Sequence, residues 1–479
     1  MPDCSVLQVE GYFRAPATTP KALPGPVRIP IVGQLPRFLR NPPHLVLQDF
    51  ANSYGSVFQY SLGTERVVCI AEPCLINAIL KARPDSFRRA KRLAEAIEGT
   101  GFLGVFTAEG ERWQRQRRLV MRGLRPQVVD ASQQYVNKVV HDLALKWRQE
   151  PGGEPDVLLD LKRAASAIVV RTSLGIEIQL PTGSEMSLQQ AIDRWFRTIG
   201  KRARLPATVY RLLSVFGDDT EQKAIEMLRD TAQMAVEDAK QRLAKSPGPP
   251  QNILEALIIA QSEDEHSFSD ADIVGNAVTM ILAGQETTAS SMAWMMYYLA
   301  RDPDLVDELR QDIDRVMIDE DRTVDNTVFD ELPMVHRLCL EVLRLRPTAP
   351  LFGLTANHDI LVAGLRLHAG QKVVLLARDL VEPEADRPRI SGQIGSVEEH
   401  RSVNDAVEGF AFGAGPRLCP GRYLALVEMM TMMIMVLRHF DVSIAEREPP
   451  VSEGFTFAMH PRNLYFHVQP RVSGASANL

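Results

Sequence analysis

The chain has 479 residues, 45% of them hydrophobic, which is ample for a large core. Its 54 basic and 60 acidic residues give a formal net charge of −6, the wrong sign for a nucleic-acid binder. The five cysteines (Cys4, Cys69, Cys74, Cys339 and Cys419) form no Cys-x-x-Cys pair, which fits a reducing compartment and excludes the common zinc spacings.

The opening stretch, MPDCSVLQVEGYFRAP, lacks a basic region followed by an apolar run, so no signal peptide is predicted. No window offers about eighteen apolar residues in succession, so no integral membrane anchor is predicted either, and the expected location is the cytoplasm. Residues 1–36 read as a proline-rich, extended leader, 37–472 as one domain, and 473–479 as a disordered tail. Helical patterns dominate. Residues 55–71, GSVFQYSLGTERVVCIA, alternate as strands do, and so do LVAGLRLHAGQKVVLLA (361–377) and LYFHVQP (464–470). EPGGEPD (150–156) and SPGPPQN (246–252) break helical stretches.

Residues 269–303 form the most informative helix. Ser269 with Asp272 is an N-terminal capping signature, and Pro303 marks the stop. The span is about 32 residues, or roughly 48 Å, and it is apolar nearly all round, so it should run through the protein's interior. Its centre holds a polar island, Gly284, Gln285, Glu286, Thr287 and Thr288. Burial of such a group needs partners or a task. A threonine here can bond its own backbone and open a groove. An acid beside an alcohol can pass protons to a bound oxygen species, and a plain polar-packed kink would look the same in sequence. Further on, CLEVLRLRP sets Glu341 and Arg344 three apart on one helix face, a spacing most often seen in surface ion pairs.

Residues 410–425, FAFGAGPRLCPGRYLA, place one cysteine among glycines and prolines just before a helix. A lone cysteine is usually a small buried hydrophobe. Here Gly413, Gly415 and Gly421 allow tight geometry and close approach of a ligand, and Pro416 and Pro420 stiffen the loop. The positive end of the following helix favours a thiolate. Such a thiolate suits a nucleophile, given a nearby histidine base, or a metal ligand. One sulfur cannot hold zinc or an iron–sulfur cluster, but it can hold a haem iron.

Three motifs then fall in one order. FGAGPRLCPG fits F-x-x-G-x-R-x-C-x-G with Phe412, Gly415, Arg417, Cys419 and Gly421 at its fixed positions; AGQET fits A-G-x-[DE]-T; EVLR fits E-x-x-R. In this the chain resembles the cytochrome P450 family of haem-thiolate monooxygenases, in its soluble, bacterial type, over nearly the whole length. The resemblance implies a mainly α fold, a single helical domain with a small β-rich region, and haem b (iron protoporphyrin IX) as cofactor. By similarity Cys419 is the axial ligand of iron, Phe412 shields the sulfur, and Glu341 with Arg344 locks the helix behind the haem. Ala283 and Gly284 correspond to small residues that leave room above the iron. Glu286 and Thr287 correspond to the acid–alcohol pair that delivers protons. Trp113, Arg117 and Arg417 correspond to partners of the haem propionates. Leu354 stands where the family often has a further arginine, so that anchor is expected to be missing. The third member of the Glu–Arg–Arg cluster has no convincing match, although Arg387 and Arg389 lie nearby in sequence.

The implied reaction is insertion of one atom of O2 into an organic substrate by hydroxylation or epoxidation. The implied pocket draws on Phe102, Leu103, Val105, Phe106, Asn276, Ala277, Met280, Leu351, Phe352 and Phe457, so a largely apolar small molecule is expected. With no flavin or NAD(P) domain in view, electrons are expected from a separate ferredoxin or flavodoxin with its NAD(P)H reductase. A peroxygenase or isomerase on the same fold, or a non-enzymatic haem gas sensor, is the alternative.

Overall fold

A computed structural model describes residues 23–150, 154–176, 187–204, 219–263, 269–319, 322–378 and 409–471. The chain divides into two compact units, and each draws on separated stretches of sequence. The first unit takes the described residues within 1–95, 344–387 and 407–419. The rest belong to the second.

In the first unit, the alternating residues 57–70 fold as the sequence predicts, into β1 (Val57–Leu62) and β2 (Glu65–Ile70), turning at Gly63 with φ +61°. They join β3 (Phe87–Arg89), β4 (Leu351–Ala356) and β7 (Lys372–Leu376) in a sheet of order β1-β2-β7-β4-β3. Only the β2–β7 pair in it is parallel. The short hairpin of β5 (Ile360–Val362) and β6 (Leu365–Leu367) lies between β4 and β7 in sequence. Alternation along β2 covers both faces of the sheet. Val68 and Ile70 join one cluster with Ile76, Ile79, Phe87 and Leu354, while Val67 and Cys69 join another with Phe50, Phe58 and Tyr60. Helices α1 (Leu35–Arg40), α2 (Pro43–Tyr54) and α3 (Pro73–Lys81) complete the unit. The described part of the proline-rich segment lies along β1. Gln59 donates its backbone N–H to Pro24 O at 2.9 Å, and Gln34 donates to Ser61 O at 2.7 Å. A Cβ on Gly25 would come within 1.9 Å of Gln59 O, so only glycine permits that approach.

Helices α4 (Lys91–Glu98) and α15 (Pro333–Leu345) run across the boundary between the units in sequence. The second unit contains α5 (Gly110–Gly123), α6 (Pro126–Ala131), α7 (Gln133–Gln149) and α8 (Val157–Leu174). It continues with α9 (Leu188–Arg204), α10 (Asp219–Lys245) and α11 (Ile253–Glu263). The two predicted breaks fall between α7 and α8 and between α10 and α11. Next come α12 (Asp270–Leu299), α13 (Pro303–Val316), α14 (Asn326–Glu331) and α16 (Arg422–His439). Two hairpin-like pairs finish the unit, β8 (Phe440–Ile444) with β11 (Phe466–Pro470) and β9 (Ser452–Phe455) with β10 (Met459–Arg462). Among the described residues, no helix is long and apolar enough to cross a membrane. The tail 473–479 and the pair Arg387 and Arg389 lie outside the described residues.

α12 is the predicted long buried helix. Its capping box is complete, with Ser269 Oγ accepting from Asp272 N–H and the Asp272 carboxylate accepting from Ser269 N–H. It packs along α8. A Cβ on Gly284 would lie 2.1 Å from Val169 Cγ2, so the glycine lets the two helices touch. The space at Gly284 is therefore taken on that side by α8, a use the sequence reading did not assign to it.

Candidate active site

The cysteine loop of the first unit is braced from both ends. Cys419 N–H donates to Phe412 O at 2.9 Å, Gly413 N–H to Phe410 O at 2.9 Å, and Leu418 N–H to Gly415 O at 3.0 Å. Gly413 (φ +75°) and Gly415 (φ +68°) supply the left-handed turns. A Cβ on Gly415 would come within 2.7 Å of Leu80 O and Lys81 Cα, so the loop lies flat on the end of α3. Gly415, Pro416 and Arg417 form one 3-10 turn, with Arg417 half-buried. Cys69 and Cys339 are buried, and burial pushes both thiols well up. Cys419 is half-exposed. Gly421 has φ −85° and forms the N-cap of α16, and a Cβ there would meet no protein atom within 4 Å.

These observations test a haem against the residues present. No group of three or more His, Cys, Asp or Glu side chains among the described residues could hold a metal ion. A single thiolate suits a metal that brings its other ligands with it, as a porphyrin iron does. The accessible sulfur, the rigid loop and the open backbone at Gly421 accept a flat macrocycle, so the residues fit.

On α12 the polar island remains helical throughout. Thr287 Oγ donates to Ala283 O at 2.8 Å, the predicted back-bond, without breaking the helix. Ala283 is exposed and Thr287 half-buried in a helix that is otherwise largely buried. Small and hydroxylic groups thus line one uncovered face. Glu286 does not join that face. Neighbours on a helix project roughly 100° apart, and the Glu286 carboxylate is buried against Lys162 of α8, with Nζ–Oε2 at 2.9 Å. Asp193 of α9 holds the same ammonium at 3.2 Å, and His460 of β10 stands 3.9 Å from Glu286 Oε1. Burial opposes the charge on Lys162, but Glu286 and Asp193 outweigh it and raise its pKa. Glu286 and Thr287 thus project to different sides of α12, the acid into a buried ion cluster and the alcohol to the less covered face. Gln285, fully buried, donates to Gln189 Oε1 at 3.0 Å.

α5 carries Trp113, buried, and Arg117, half-buried. The helix is fastened to the start of α12. Arg112 Nε donates to Asp272 Oδ1 at 3.1 Å and Gln116 Nε2 donates to the same oxygen at 2.9 Å. Burial opposes the charge on Asp272, but Arg112 and Ser269 hold its carboxyl below the usual range.

Of the predicted pocket residues, the structure brings Phe106 and Phe457 together, with ring centroids 6.0 Å apart. Trp195 and Phe196 of α9 complete the group, at 6.2 and 5.4 Å from Phe457. The sequence reading missed both, because α9 is otherwise rich in charge. Asn276 is fully buried, with Oδ1 accepting Val105 N–H at 2.9 Å and Nδ2 donating to Asp272 O at 2.8 Å. It ties the 102–107 loop to α12. The seam is close, since a Cβ on Gly275 would lie 2.5 Å from Leu103 O. Phe102, Val105, Ala277 and Met280 are buried, and Leu103 is half-buried. Leu351 and Phe352, both half-buried, pack in the first unit against its two core clusters, and the Phe352 ring borders Gly413 of the cysteine loop.

Glu341 and Arg344 lie one turn apart on α15, both half-buried. Leu354 is a core residue. Its cross-strand partner is Arg89 on β3. Directly paired residues share a face of the sheet, so Arg89 lies on the same face as Leu354.

The sequence model of the family Cytochrome P450 matches residues 23–383 and 398–468 of this chain. The chain belongs to that family, and it is an oxidoreductase that incorporates oxygen from O2, with haem as its cofactor. It is 25% identical to mouse "Cytochrome P450 2J5" over 450 residues, which cover 90% of this chain and 86% of the mouse protein. It is 26% identical to the rat "25-hydroxyvitamin D-1 alpha hydroxylase, mitochondrial" over 421 residues, 82% of each chain. It is also 25% identical to the Aspergillus niger "Self-sufficient cytochrome P450 monooxygenase CYP505E1" over 439 residues, 88% of this chain but 39% of the fungal protein. These relatives are eukaryotic.

Proposed function

We propose that the protein is a haem b monooxygenase that hydroxylates or epoxidises a largely apolar small molecule. Its electrons would come from a separate ferredoxin or flavodoxin with an NAD(P)H reductase, in the cytoplasm, as in the soluble bacterial members of the family. The observation that carries this reading is the half-exposed Cys419 thiol on a loop clamped by its own hydrogen bonds. Bound through that sulfur, a haem supplies the activation of O2 and the transfer of one oxygen atom. The chain's residues do the rest. The Cys419 loop holds the sulfur rigid, and Trp113, Arg117 and Arg417 would hold the haem carboxylates. Ala283 keeps one helix face small, and Thr287 positions a proton donor there. Glu286, held by Lys162, is the reserve of acidity behind it. The rings of Phe106 and Phe457, half-buried and backed by Trp195 and Phe196, support an apolar substrate.

The test is spectroscopic first. The reduced, CO-bound wild type should show the strongly red-shifted Soret band of thiolate ligation, and Cys419→Ala should not. A globin-like spectrum in the wild type would overturn the reading. Oxygen uptake driven by reduced ferredoxin should then match product formed. Product from peroxide alone would point instead to a peroxygenase.

A further inference from the structure

We propose that His460 is a positioning residue for Glu286, and that it ties that carboxylate to the hairpin bearing the ring of Phe457. The inference rests on the monooxygenase reading, because the importance of Glu286 comes from there. The two oxygens of Glu286 face two different elements. Oε2 meets Lys162 of α8 at 2.9 Å, and Oε1 faces His460 Nδ1 of β10 at 3.9 Å. The side chains are largely withdrawn from water, with 4% of Glu286, 15% of His460 and 16% of Lys162 exposed. Asp193 is 29% exposed and so leads from the cluster towards solvent.

The imidazole is held in place. Its Nδ1 lies 3.2 Å from Ala458 O. Its cross-strand partner is Gly454, where a Cβ would stand 2.5 Å from His460 Nε2. A side chain at 454 would push the ring from its seat. Between the two strands, Phe457 reaches the ring group formed with Phe106, Trp195 and Phe196. One hairpin therefore touches the apolar wall with Phe457 and the buried carboxylate with His460. Phe457 precedes the strand that carries His460 by two residues, so a ligand against the Phe457 ring is expected to be felt at His460.

The charges around the ring are Glu286 on α12, Lys162 on α8 and Arg462 on β10 itself. Burial lowers the pKa of His460; Glu286 opposes this, and Lys162 and Arg462 add to it. While the ring is uncharged, Lys162 is the cation against Glu286; a protonated ring would set a second cation against Oε1 and hold the carboxylate from both sides.

Coupling between two titrating groups is reciprocal, so the ring reports on the carboxylate. The experiment is an NMR titration of the His460 imidazole in the CO-bound holoenzyme, with the resonance assigned by its loss in His460→Gln. Glu286→Gln should lower the midpoint, and Lys162→Met should raise it, each by about half a pH unit or more, a threefold change in proton affinity. The probe ethylbenzene, an aromatic hydrocarbon with no nitrogen to compete with CO, should shift the His460 resonance in wild type and lose that effect in Phe457→Ala. Midpoints that agree in wild type and both charge variants would overturn the link to Glu286. An equal probe shift in Phe457→Ala would overturn the link to the hairpin. Neither readout depends on turnover, so failure of the monooxygenase reading would appear separately, in the CO spectrum.

Discussion

Thr287 and Glu428 show how one side chain can be tuned by its surroundings in opposite ways. Thr287 keeps its hydroxyl on the uncovered face of α12 by donating to Ala283 O at 2.8 Å. The hydroxyl can still accept a proton-bearing partner, which is what a relay residue needs. Thr287→Ala should therefore leave electron consumption running while product per electron falls on the order of tenfold. Hydrogen peroxide should rise to match, and an unchanged product-to-electron ratio would remove Thr287 from the reaction. Glu428 has no such outlet. It lies buried on α16 among methionines, with Oε2 lacking a hydrogen-bond partner among the described residues. Burial raises its pKa well above the ordinary carboxylate value. The folded chain thus keeps a proton that the unfolded chain releases above about pH 4.5. The folded state binds more protons, so stability falls as pH rises through that value towards the folded pKa. Glu428→Met should raise unfolding free energy at pH 7 by about 1–3 kcal/mol, the usual cost of an unsatisfied buried polar group. The gain should shrink near pH 4, and urea melts at both pH values check it.

At the scale of elements, α12 and α8 meet at Gly284 and Val169, and the contact leaves no room for a methyl group. Valine is stiff at its first side-chain torsion, so it cannot readily swing away. Gly284→Ala should cost about 1–3 kcal/mol by overpacking, despite alanine's better helix propensity. Val169→Ala should recover much of that in the double variant, and a denaturation cycle over the four proteins measures the coupling. Additive costs would place the strain elsewhere. α12 itself was legible in sequence, because Ser269, Asp272 and Pro303 are local signals that act within one turn. The cysteine loop was legible for the same reason, since its glycines and prolines dictate their own backbone. What packs against α12 was not legible. Lys162 lies 124 residues before Glu286, and a helical period tells which face is apolar without telling which helix covers it. Trp195 and Phe196 were hidden in a helix of charged residues, and the pairing of Arg89 with Leu354 appeared only once β3 was registered against β4.

For the molecule as a whole, the sign of the charge changes with location. The chain carries −6 overall, yet α5 and the residue pair after it carry Arg112, Arg115, Arg117, Arg118, Arg122 and Arg125. The fold withdraws Arg112 to Asp272 and half-buries Arg117. Arg115, Arg118, Arg122 and Arg125 remain exposed. Arg115 meets Glu111, and Arg122 meets Glu263, only at 3.9 Å on the surface. Such pairs contribute little and rearrange easily. The remaining positive field suits the acidic donor in the proposed function, since a local patch raises encounter rates by about 10- to 1,000-fold. Reversing Arg115→Glu with Arg122→Glu should slow first-electron transfer from ferredoxin by about tenfold or more, while the substrate-induced change in the haem spectrum stays intact. Wild-type reduction should also slow as salt rises, because the screening length falls from roughly 30 Å at 0.01 M to about 10 Å at 0.1 M. The double variant should lose most of that salt dependence. Stopped-flow reduction at several ionic strengths reads both effects, and a rate indifferent to salt and to charge reversal would show that the donor docks on another face.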